Sequence, residues 1–441
     1  MNSRKRLLLF ATKLGYQTRM FNAAAEKLGV DLVFVTDRCN RLADPWNDRA
    51  IGVHFENAEA AAHAVLQAQR QSPVDGVLAI GDRPGPTAAY VARALGIIHN
   101  HPASVEACRN KLRMREVLRD AGLPIPAFRS VALHPPAEPA LLGISFPCVL
   151  KPLSLSASQG VVRANNREEF LAGAIRLKHL LDSPELRATH EPGLDRMLVE
   201  SYLPGREVAV EGLITEAEPR ILAIFDKPDP LEGPYFEETI YVTPSRFPVR
   251  EQQAIEKSFL DSVRALGLTH GPVHAEFRLN DDGVWPIELA PRPIGGLCAQ
   301  ALRFKISGTA EVIGLEELLL RHALNLQGAS AEREGAASGV MMIPVPHSGI
   351  LEKVDGEEEA SRVSGIAKLE ITARLHDYIA AWPEGSSYLG FLFARADDPA
   401  SVEASLRQAH ATLHFTLTPR LPVEHPLAGR AGNAKRIERR E

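Results

Sequence analysis

Cysteine is scarce in this 441-residue sequence, and no two cysteines form a CxxC pair. The four, which are Cys39, Cys108, Cys148 and Cys298, are spread along the chain. Their spacing fits neither a zinc cluster nor a disulfide framework. Each is therefore predicted to be a small buried side chain in a reducing compartment.

Long apolar runs are also missing. The longest near the start covers Leu7–Ala11, whereas a membrane span needs about 20 apolar residues and a signal peptide a longer core. Neither sign of charge dominates, since 50 Lys and Arg against 55 Asp and Glu leave a net charge of −5. A protein that binds the nucleic-acid backbone requires a basic surplus. We expect a cytoplasmic enzyme that binds neither nucleic acid nor membrane.

Two common nucleotide-binding motifs are absent. No GxxxxGK[ST] occurs in the chain, which excludes P-loop chemistry. The first hundred residues alternate strand and helix signals, with predicted strands at Arg6–Ala11, Asp31–Thr36 and Gly76–Ile80. Repeated βα units predict a parallel sheet with helices on its faces. Because the loops after these strands lack GxGxxG, a dinucleotide site there is not expected.

The remaining chain is predicted to be of mixed α and β structure. Ser104 is predicted to cap a helix that continues to Ala121. A small α+β unit follows over 146–214, then a larger region over 215–328 and a final α+β segment over 340–428. The tail 429–441 has no periodicity and is predicted to be disordered.

The most informative stretch is a predicted hairpin, Val273–Ala290, with its turn at Asn280–Gly283. Side chains in a strand alternate between two faces, so His274, Glu276 and Glu288 share the polar face. A five-residue loop would place Glu276 opposite Glu288, with Cβ atoms about 5 Å apart. Two adjacent carboxylates favour a cation such as Mg²⁺, with Mn²⁺ as the alternative ion.

A second interpretation of this hairpin requires no metal. The face would be solvated, and the two glutamates would pair with Arg278 and Arg292. The spacing alone does not separate the two interpretations.

Two lysines stand in different settings. Lys151 ends a buried strand and is followed by a Ser-rich loop, Ser154–Gly160, whose hydroxyl and backbone N–H groups can enclose phosphates. Lys111 lies on the helix capped by Ser104 and, taken alone, is more typical of a solvated lysine. The segment Glu200–Glu207 places a turn between two strands and supplies further acids.

Taken in order, these motifs resemble an ATP-grasp carboxylate–amine ligase, and the bacterial L-amino acid ligases most closely. They are NKLRMREVLRDAGLPIP, FPCVLKP, SLSASQGV, VESYLPGRE, HAEFRL and PIELAPRPIGG. The resemblance implies an α/β and α+β multidomain chain with the ATP-grasp fold. Its implied parts are a Rossmann-like pre-ATP-grasp domain over 1–101, a linker over 102–145, a lid over 146–214 and a large subdomain over 215–328.

The resemblance also implies a role for each site residue. ATP would be bound by Lys111, Lys151, Ser154, Ser156, Ser158, Gln159, Gly160, Glu200, Tyr202, Leu203 and Glu207. Within this set the two lysines would hold the α- and β-phosphates, the loop would close over the β- and γ-phosphates, Glu200–Leu203 would bind adenine and Glu207 the ribose. Metal would be held by Glu276 and Glu288. Arg292, with the backbone N–H groups of Gly295 and Gly296, would stabilise the acyl phosphate and the following oxyanion.

The substrate side of the implied site departs from the family pattern. Glu238 is expected to meet a substrate ammonium group, but Tyr241 stands where relatives often carry His. His274 is included among the expected substrate contacts. Ala290 replaces an Asn that is often the second metal ligand, which leaves the number of bound ions open.

The implied reaction is phosphorylation of an amino acid carboxylate by ATP, followed by attack of an amine, here expected to be a second amino acid. The products would be an amide, ADP and phosphate. The alternatives are a biotin-carboxylase-like or nucleotide-biosynthetic ATP-grasp activity, or a non-catalytic nucleotide-binding protein. A homodimer is expected from the family.

Overall fold

The computed structural model describes residues 4–12, 15–37, 50–70, 72–133, 143–327 and 331–419. Cys39 and the tail predicted to be disordered lie outside these ranges. The described strands are β1 (Arg6–Ala11), β2 (Asp31–Thr36), β3 (Ala50–Gly52), β4 (Gly76–Ile80), β5 (Phe128–Ala132), β6 (Cys148–Pro152), β7 (Val162–Ala164), β8 (Arg196–Ser201), β9 (Arg206–Thr215), β10 (Glu218–Asp226), β11 (Ile240–Thr243), β12 (Gly271–Asn280), β13 (Gly283–Ala290), β14 (Arg303–Ile306), β15 (Val312–Gly314), β16 (Ala331–Arg333), β17 (Ala337–Ile343), β18 (Gly349–Asp355), β19 (Ile366–Ile371), β20 (Tyr378–Ile379), β21 (Gly390–Ala396) and β22 (His414–Thr418).

The helices connect these strands and cover the faces of the sheets. The described α-helices are α1 (Tyr16–Leu28), α2 (Ala58–Ala68), α3 (Gly85–Leu95), α4 (Pro102–Arg109), α5 (Lys111–Asp120), α6 (Arg167–Leu181), α7 (Pro184–Arg187), α8 (Val249–Ala265), α9 (Leu315–Ala323), α10 (Glu357–Arg362) and α11 (Pro399–Thr412). In the described ranges, no helix is both long enough and apolar enough to span a membrane.

The N-terminal residues form a parallel four-stranded sheet in the order β3-β2-β1-β4. Leu7 and Leu9 of β1 pack into one hydrophobic cluster and Leu8 and Phe10 into another. Burial on both faces is what a parallel sheet with helices on either side requires. This confirms the predicted α/β architecture of this region.

A second four-stranded sheet, in the order β5-β8-β6-β7, is covered by α6. Phe170 and Leu177 of α6 belong to the same buried cluster as Leu150 of β6. The predicted lid range differs from this sheet at both ends. β5 lies in the range predicted as linker, and β9, predicted in the lid, instead pairs with β12. The hydrophobic pattern marks a strand but not its hydrogen-bonding partner, which explains the difference.

The largest sheet has eight strands in the order β13-β12-β9-β10-β11-β17-β21-β19. One end carries the predicted hairpin β12–β13. Farther along the sheet β11 pairs with β17, so strands from 215–328 and from the C-terminal part of the chain share one sheet. The remaining strands form two small three-stranded sheets.

The single helix predicted from Ser104 to Ala121 is wrong. His101 caps α4, and Asn110 interrupts the helix with extended backbone angles of φ −98° and ψ 106°. The Asn110 side chain then accepts hydrogen bonds from the N–H groups of Leu112 and Arg113, which begins α5. As a result, Lys111 is the first residue of a helix and is buried.

Three of the four cysteines fall in the described ranges. Cys108, Cys148 and Cys298 are buried and free, as predicted.

Candidate active site

A large cleft of about 1680 Å³ opens between the N-terminal sheet, the sheet β5-β8-β6-β7 and the eight-stranded sheet. Its walls include nearly all the predicted site residues: Lys111, Lys151, Ser154, Ser156, Ser158, Gln159, Glu200, Tyr202, Leu203, Glu207, Glu238, Tyr241, His274, Glu276, Glu288, Arg292, Gly295 and Gly296. Gly160 does not line the cleft; it packs against Leu177 and Leu180 of α6 with φ +75°. Segments distant in sequence are thus brought to one site.

The two predicted phosphate-binding lysines are buried in the cleft wall. Lys151 is the penultimate residue of β6, and its Nζ lies 2.5 Å from Oε2 of Glu200. Burial lowers the pKa of Lys151, although Glu200 opposes this effect. Lys111 donates to the carbonyl of Leu155 at 2.7 Å and to Oε1 of Glu288 at 3.3 Å. The interpretation of Lys111 as a solvated helix residue is therefore wrong, because its ammonium group is directed into the cleft.

Glu200 is bound by cations on both sides. Besides Lys151, the guanidinium of Arg115 donates to it from Nε at 2.6 Å. Arg115 itself is fully buried. Burial alone would raise the pKa of Glu200, but Arg115 and Lys151 lower it to about 2. The Glu200 carboxylate is therefore ionised and paired with two cations at the start of the segment that is predicted to bind adenine.

The hairpin places Glu276 and Glu288 as direct cross-strand partners, as predicted. The predicted five-residue loop is wrong: Asn280 pairs with Gly283, and a bulge after Glu276 restores the register. A bulge adds one residue to one strand, and alternation alone does not reveal it. The two glutamates do not pair with Arg278 and Arg292, which instead bind Glu207 and Asp82.

A buried lysine that sequence reasoning missed lies among three carboxylates. Lys227 Nζ is 2.8 Å from Glu207 Oε1 and 3.1 Å from Glu276 Oε1, and it also donates to Glu238. Oxygens of these three glutamates lie within 4.8 Å of one another. Burial opposes the charge of Lys227, but the carboxylates raise its pKa well above its usual range. Lys227 thus supplies positive charge where the acids converge.

The acidic groups of the cleft suit Mg²⁺ in kind, because this ion takes carboxylate oxygens and keeps sites for phosphate and water. Glu276 and Glu288 face each other across the hairpin, and each has a lysine ammonium within 3.3 Å, from Lys227 and Lys111 respectively. The donor set therefore fits the predicted ion in kind, and the two lysine ammonium groups are the cations that now contact these carboxylates.

The predicted substrate contacts lie on the same wall. Tyr241 donates its hydroxyl to Glu238 Oε2 at 2.8 Å. Burial raises the pKa of Glu238 to about 7, against the effect of Lys227. His274 contacts Glu211 and lies 3.5 Å from Glu276. Burial lowers the pKa of His274, but these two carboxylates raise it to about 9, so this side chain is a cation at neutral pH.

Arg292 is held by an acid from the N-terminal sheet. Its Nε donates to Oδ1 of Asp82 at 2.7 Å and its Nη2 to Oδ2 at 3.1 Å. Ser156 of the Ser-rich loop donates to the same carboxylate at 2.5 Å. Burial alone would raise the pKa of Asp82, but Arg292 outweighs this effect and lowers it. Ser156 of the loop and Arg292, which is predicted to stabilise the transition state, thus both bind Asp82.

Asp82, Arg115, Glu211 and Lys227 are the site residues that sequence reasoning missed. Asp82 is the second residue after β4. This position was an available signal, because polar groups after parallel strands gather at one edge of a sheet. Lys227, next to Asp226 at the end of β10, carried no comparable signal.

Family models match three parts of the chain. An ATP-grasp N-terminal domain matches residues 21–97, an ATP-grasp domain residues 144–301, and the L-amino acid ligase C-terminal domain 2 residues 341–418. Two of the three matched domains are thus ATP-grasp domains, and the chain is similar to the L-amino acid ligases.

Individual relatives agree with this placement. The crystal structure of an L-amino acid ligase from Bacillus licheniformis superimposes with a TM-score of 0.79 at 28% identity, over 95% of this chain and 100% of that one. An alanine–anticapsin ligase of Bacillus subtilis is 25% identical over 58% of this chain and 57% of its own length. A carboxyaminoimidazole ribonucleotide synthase from Aspergillus clavatus, solved with ATP, shares the fold with a TM-score of 0.67 at 18% identity, over 93% and 98% of the two chains. The chain spans about half to two thirds of the length of the curated relatives it matches first.

Proposed function

We propose that this protein is an ADP-forming ligase that activates the carboxylate of one amino acid with ATP and joins it to the amino group of a second. The observation that carries the proposal is the convergence on one cleft of two lysines, paired glutamates and an arginine, Lys111, Lys151, Glu276, Glu288 and Arg292. The match to an L-amino acid ligase C-terminal domain supports the amino acid as substrate.

The chemistry explains why the cleft needs these charges. A carboxylate is a poor acyl donor, because its leaving group would be oxide. Attack of the carboxylate oxygen on the γ-phosphorus of ATP breaks the bond to the β-phosphate oxygen and releases ADP. The amine then attacks the acyl carbon, and phosphate leaves with the electrons of the C–O bond. Both steps concentrate negative charge, which preorganised cations stabilise.

Each cation has a separate part in this scheme. Lys111 and Lys151 would contact the α- and β-phosphates, and Ser154–Gly160 would cover the β- and γ-phosphates and exclude water. Arg292 would face the transferred phosphoryl group and, with the N–H groups of Gly295 and Gly296, the tetrahedral oxyanion. Mg²⁺, bound by Glu276 and Glu288, would neutralise the charge of the β- and γ-phosphates.

The nucleotide and the amino acid would occupy adjoining parts of the cleft, since oxygens of Glu207 and Glu238 lie within 4.8 Å of each other. Adenine would lie against Tyr202 and Leu203, and the ribose near Glu207. The ammonium group of an amino acid would meet Glu238, whose carboxylate is oriented by Tyr241. Tyr241 would thus stand where relatives often carry a histidine, and the acidic side chain of Glu238 would be retained.

The proposal is tested by incubating the protein with ATP, Mg²⁺ and a matrix of amino acid pairs, and measuring new amide mass, phosphate and nucleotides. ADP and phosphate should form in equal amounts with the amide. AMP and pyrophosphate would contradict γ-phosphoryl transfer. Turnover only with bicarbonate and biotin, or with a nucleotide-pathway amine, would favour the other ATP-grasp activities, and nucleotide binding without turnover would favour a non-catalytic role.

A further inference from the structure

The Ser-rich loop is held by a segment of the C-terminal part of the chain, Trp382–Glu384, which we call the strut. Trp382 donates its indole N–H to the carbonyl of Ala157 at 3.1 Å. The backbone N–H of Gly160 donates to the carbonyl of Pro383 at 2.9 Å. Gln159 Nε2 donates to the carbonyl of Glu384 at 2.8 Å. Three successive strut residues thus bind three residues of the loop.

The loop needs such support because its backbone is strained. Ala157 and Ser158 have φ values of 55° and 52°, a region that residues with a Cβ seldom adopt. Conformations of this kind persist only where surrounding contacts enforce them. The strut contacts the first of these two residues and the two residues that follow them.

The strut is itself anchored at both ends. Trp382 is buried, and its ring lies 4.8 Å from that of Tyr388, which lines the cleft. At the other end, Glu384 forms an ion pair with Arg176 of α6 in the lid. One short segment therefore connects the lid, the Ser-rich loop and an aromatic wall of the cleft.

We infer that Trp382 is a positioning residue that keeps the Ser-rich loop closed over the reacting phosphates, so that the activated carboxylate meets an amine before it meets water. This inference rests on the proposed function for its consequence in catalysis, and on the contacts above for the closure itself. The C-terminal segment then controls the efficiency of coupling between ATP use and amide formation, without touching the reacting atoms.

The first test needs no substrate. Trp382→Phe removes the indole donor and keeps an aromatic ring against Tyr388. Hydrogen exchange of the nucleotide-free protein should become about fivefold faster in peptides covering 156–161, the change expected for the loss of one hydrogen bond. The matched control is Trp285→Phe, which removes an indole bond to Asn280 at 3.0 Å, outside the cleft. Equal exchange in the wild type and both variants would overturn the inference.

The second test measures phosphate released per amide formed with a competent amino acid pair. The ratio should be close to one in the wild type and in Trp285→Phe, and should at least double in Trp382→Phe. A lower rate at an unchanged ratio would overturn the inference, because a merely structural role reduces both products together. If the wild type forms no amide, the proposed function fails while the exchange test still decides whether the strut holds the loop.

Glu384→Gln provides a second variant if Trp382→Phe does not fold. It weakens the exposed pair with Arg176 and leaves the backbone contacts in place. Exchange over 156–161 and the phosphate-to-amide ratio should both rise, by less than in Trp382→Phe. No change in either measurement would count against the inference.

Discussion

Asp82 and Arg292 form a two-point ion pair across 210 residues of sequence, with bonds of 2.7 and 3.1 Å. The carboxylate takes the Nε and Nη2 side of the guanidinium and so fixes the plane of the group. Because Asp82 comes from the loop after β4, the N-terminal sheet takes part in orienting a residue that follows β13 of the eight-stranded sheet.

Asp82→Asn should therefore reduce kcat/KM for amide formation by about 10- to 100-fold, because a charge-assisted hydrogen bond contributes about 1.5–3 kcal/mol. Steady-state kinetics with a competent amino acid pair provides the measurement. Asp75→Asn, near the start of β4 and paired with Lys5, is the matched control. Equal activity in Asp82→Asn and the control would remove Asp82 from the site.

Lys151→Ala should raise the apparent KM for ATP at least tenfold and nearly abolish turnover, because a buried charge facing the phosphates is lost. Glu200 keeps Arg115 as its partner in this variant, so folding should be retained. Calorimetric titration with ADP measures the effect on binding directly. The exposed Lys305→Ala should behave like the wild type, and wild-type affinity in Lys151→Ala would contradict the assignment.

Glu288→Gln should preserve the hairpin and shift the Mg²⁺ dependence of the rate to much higher concentration, since an amide is a neutral and weaker ligand. The experiment is a titration of Mg²⁺ against initial rate in both proteins. Glu332→Gln, exposed on β16, is the control. Superimposable titration curves would mean that Glu288 holds no ion.

Glu238→Gln should raise the KM for the carboxylate-donating amino acid about tenfold, and that for ATP much less. The reason is the loss of charge opposite the substrate ammonium group. Varying each substrate at saturating levels of the others separates the two constants. Glu237→Gln, whose carboxylate accepts from the N–H of Val345, controls for a change of the local charge. Parallel increases in both KM values would place Glu238 outside the amino acid pocket.

His322 should make the protein less stable in mild acid. Burial lowers its pKa to about 4, and the stacked ring of His270, 4.5 Å away, adds to this. The unfolded chain, with an ordinary value near 6.5, binds the proton more readily. The stability that neutral His322 contributes is thus fully present above about pH 6.5 and is lost as pH falls towards 4. The free energy of unfolding should fall by about 2 kcal/mol between pH 7 and 5.

Urea unfolding at both pH values tests this contribution. His322→Gln should lose less stability on acidification than the wild type, because Gln does not titrate. The exposed His63→Gln should show the wild-type difference. An identical pH dependence in all three proteins would contradict the stated role of His322.

The sequence predicted much of the fold where local rules apply. The strands β1, β2 and β4 follow from apolar runs. The Glu276–Glu288 pairing was predicted from a five-residue loop that does not form, and the pairing occurs because the bulge after Glu276 compensates for the shorter turn. Sequence prediction failed at Asn110, where a side chain that caps one helix also ends the preceding one. Both glutamates fit their predicted place, but their lysine partners were not predictable, since Lys227 and Lys111 reach them only through tertiary packing.

The pairing of β11 with β17 has a consequence for protein engineering. In a chimera joined between residues 328 and 340, β11 would come from one parent protein and β17 from another. The facing edges of these two strands would still have to pair, since each strand would otherwise expose unpaired backbone groups. Recombination within this superfamily should therefore succeed at junctions outside the shared sheet. The C-terminal segment therefore has to be exchanged together with β11, the strand that pairs with it, and cannot be exchanged alone.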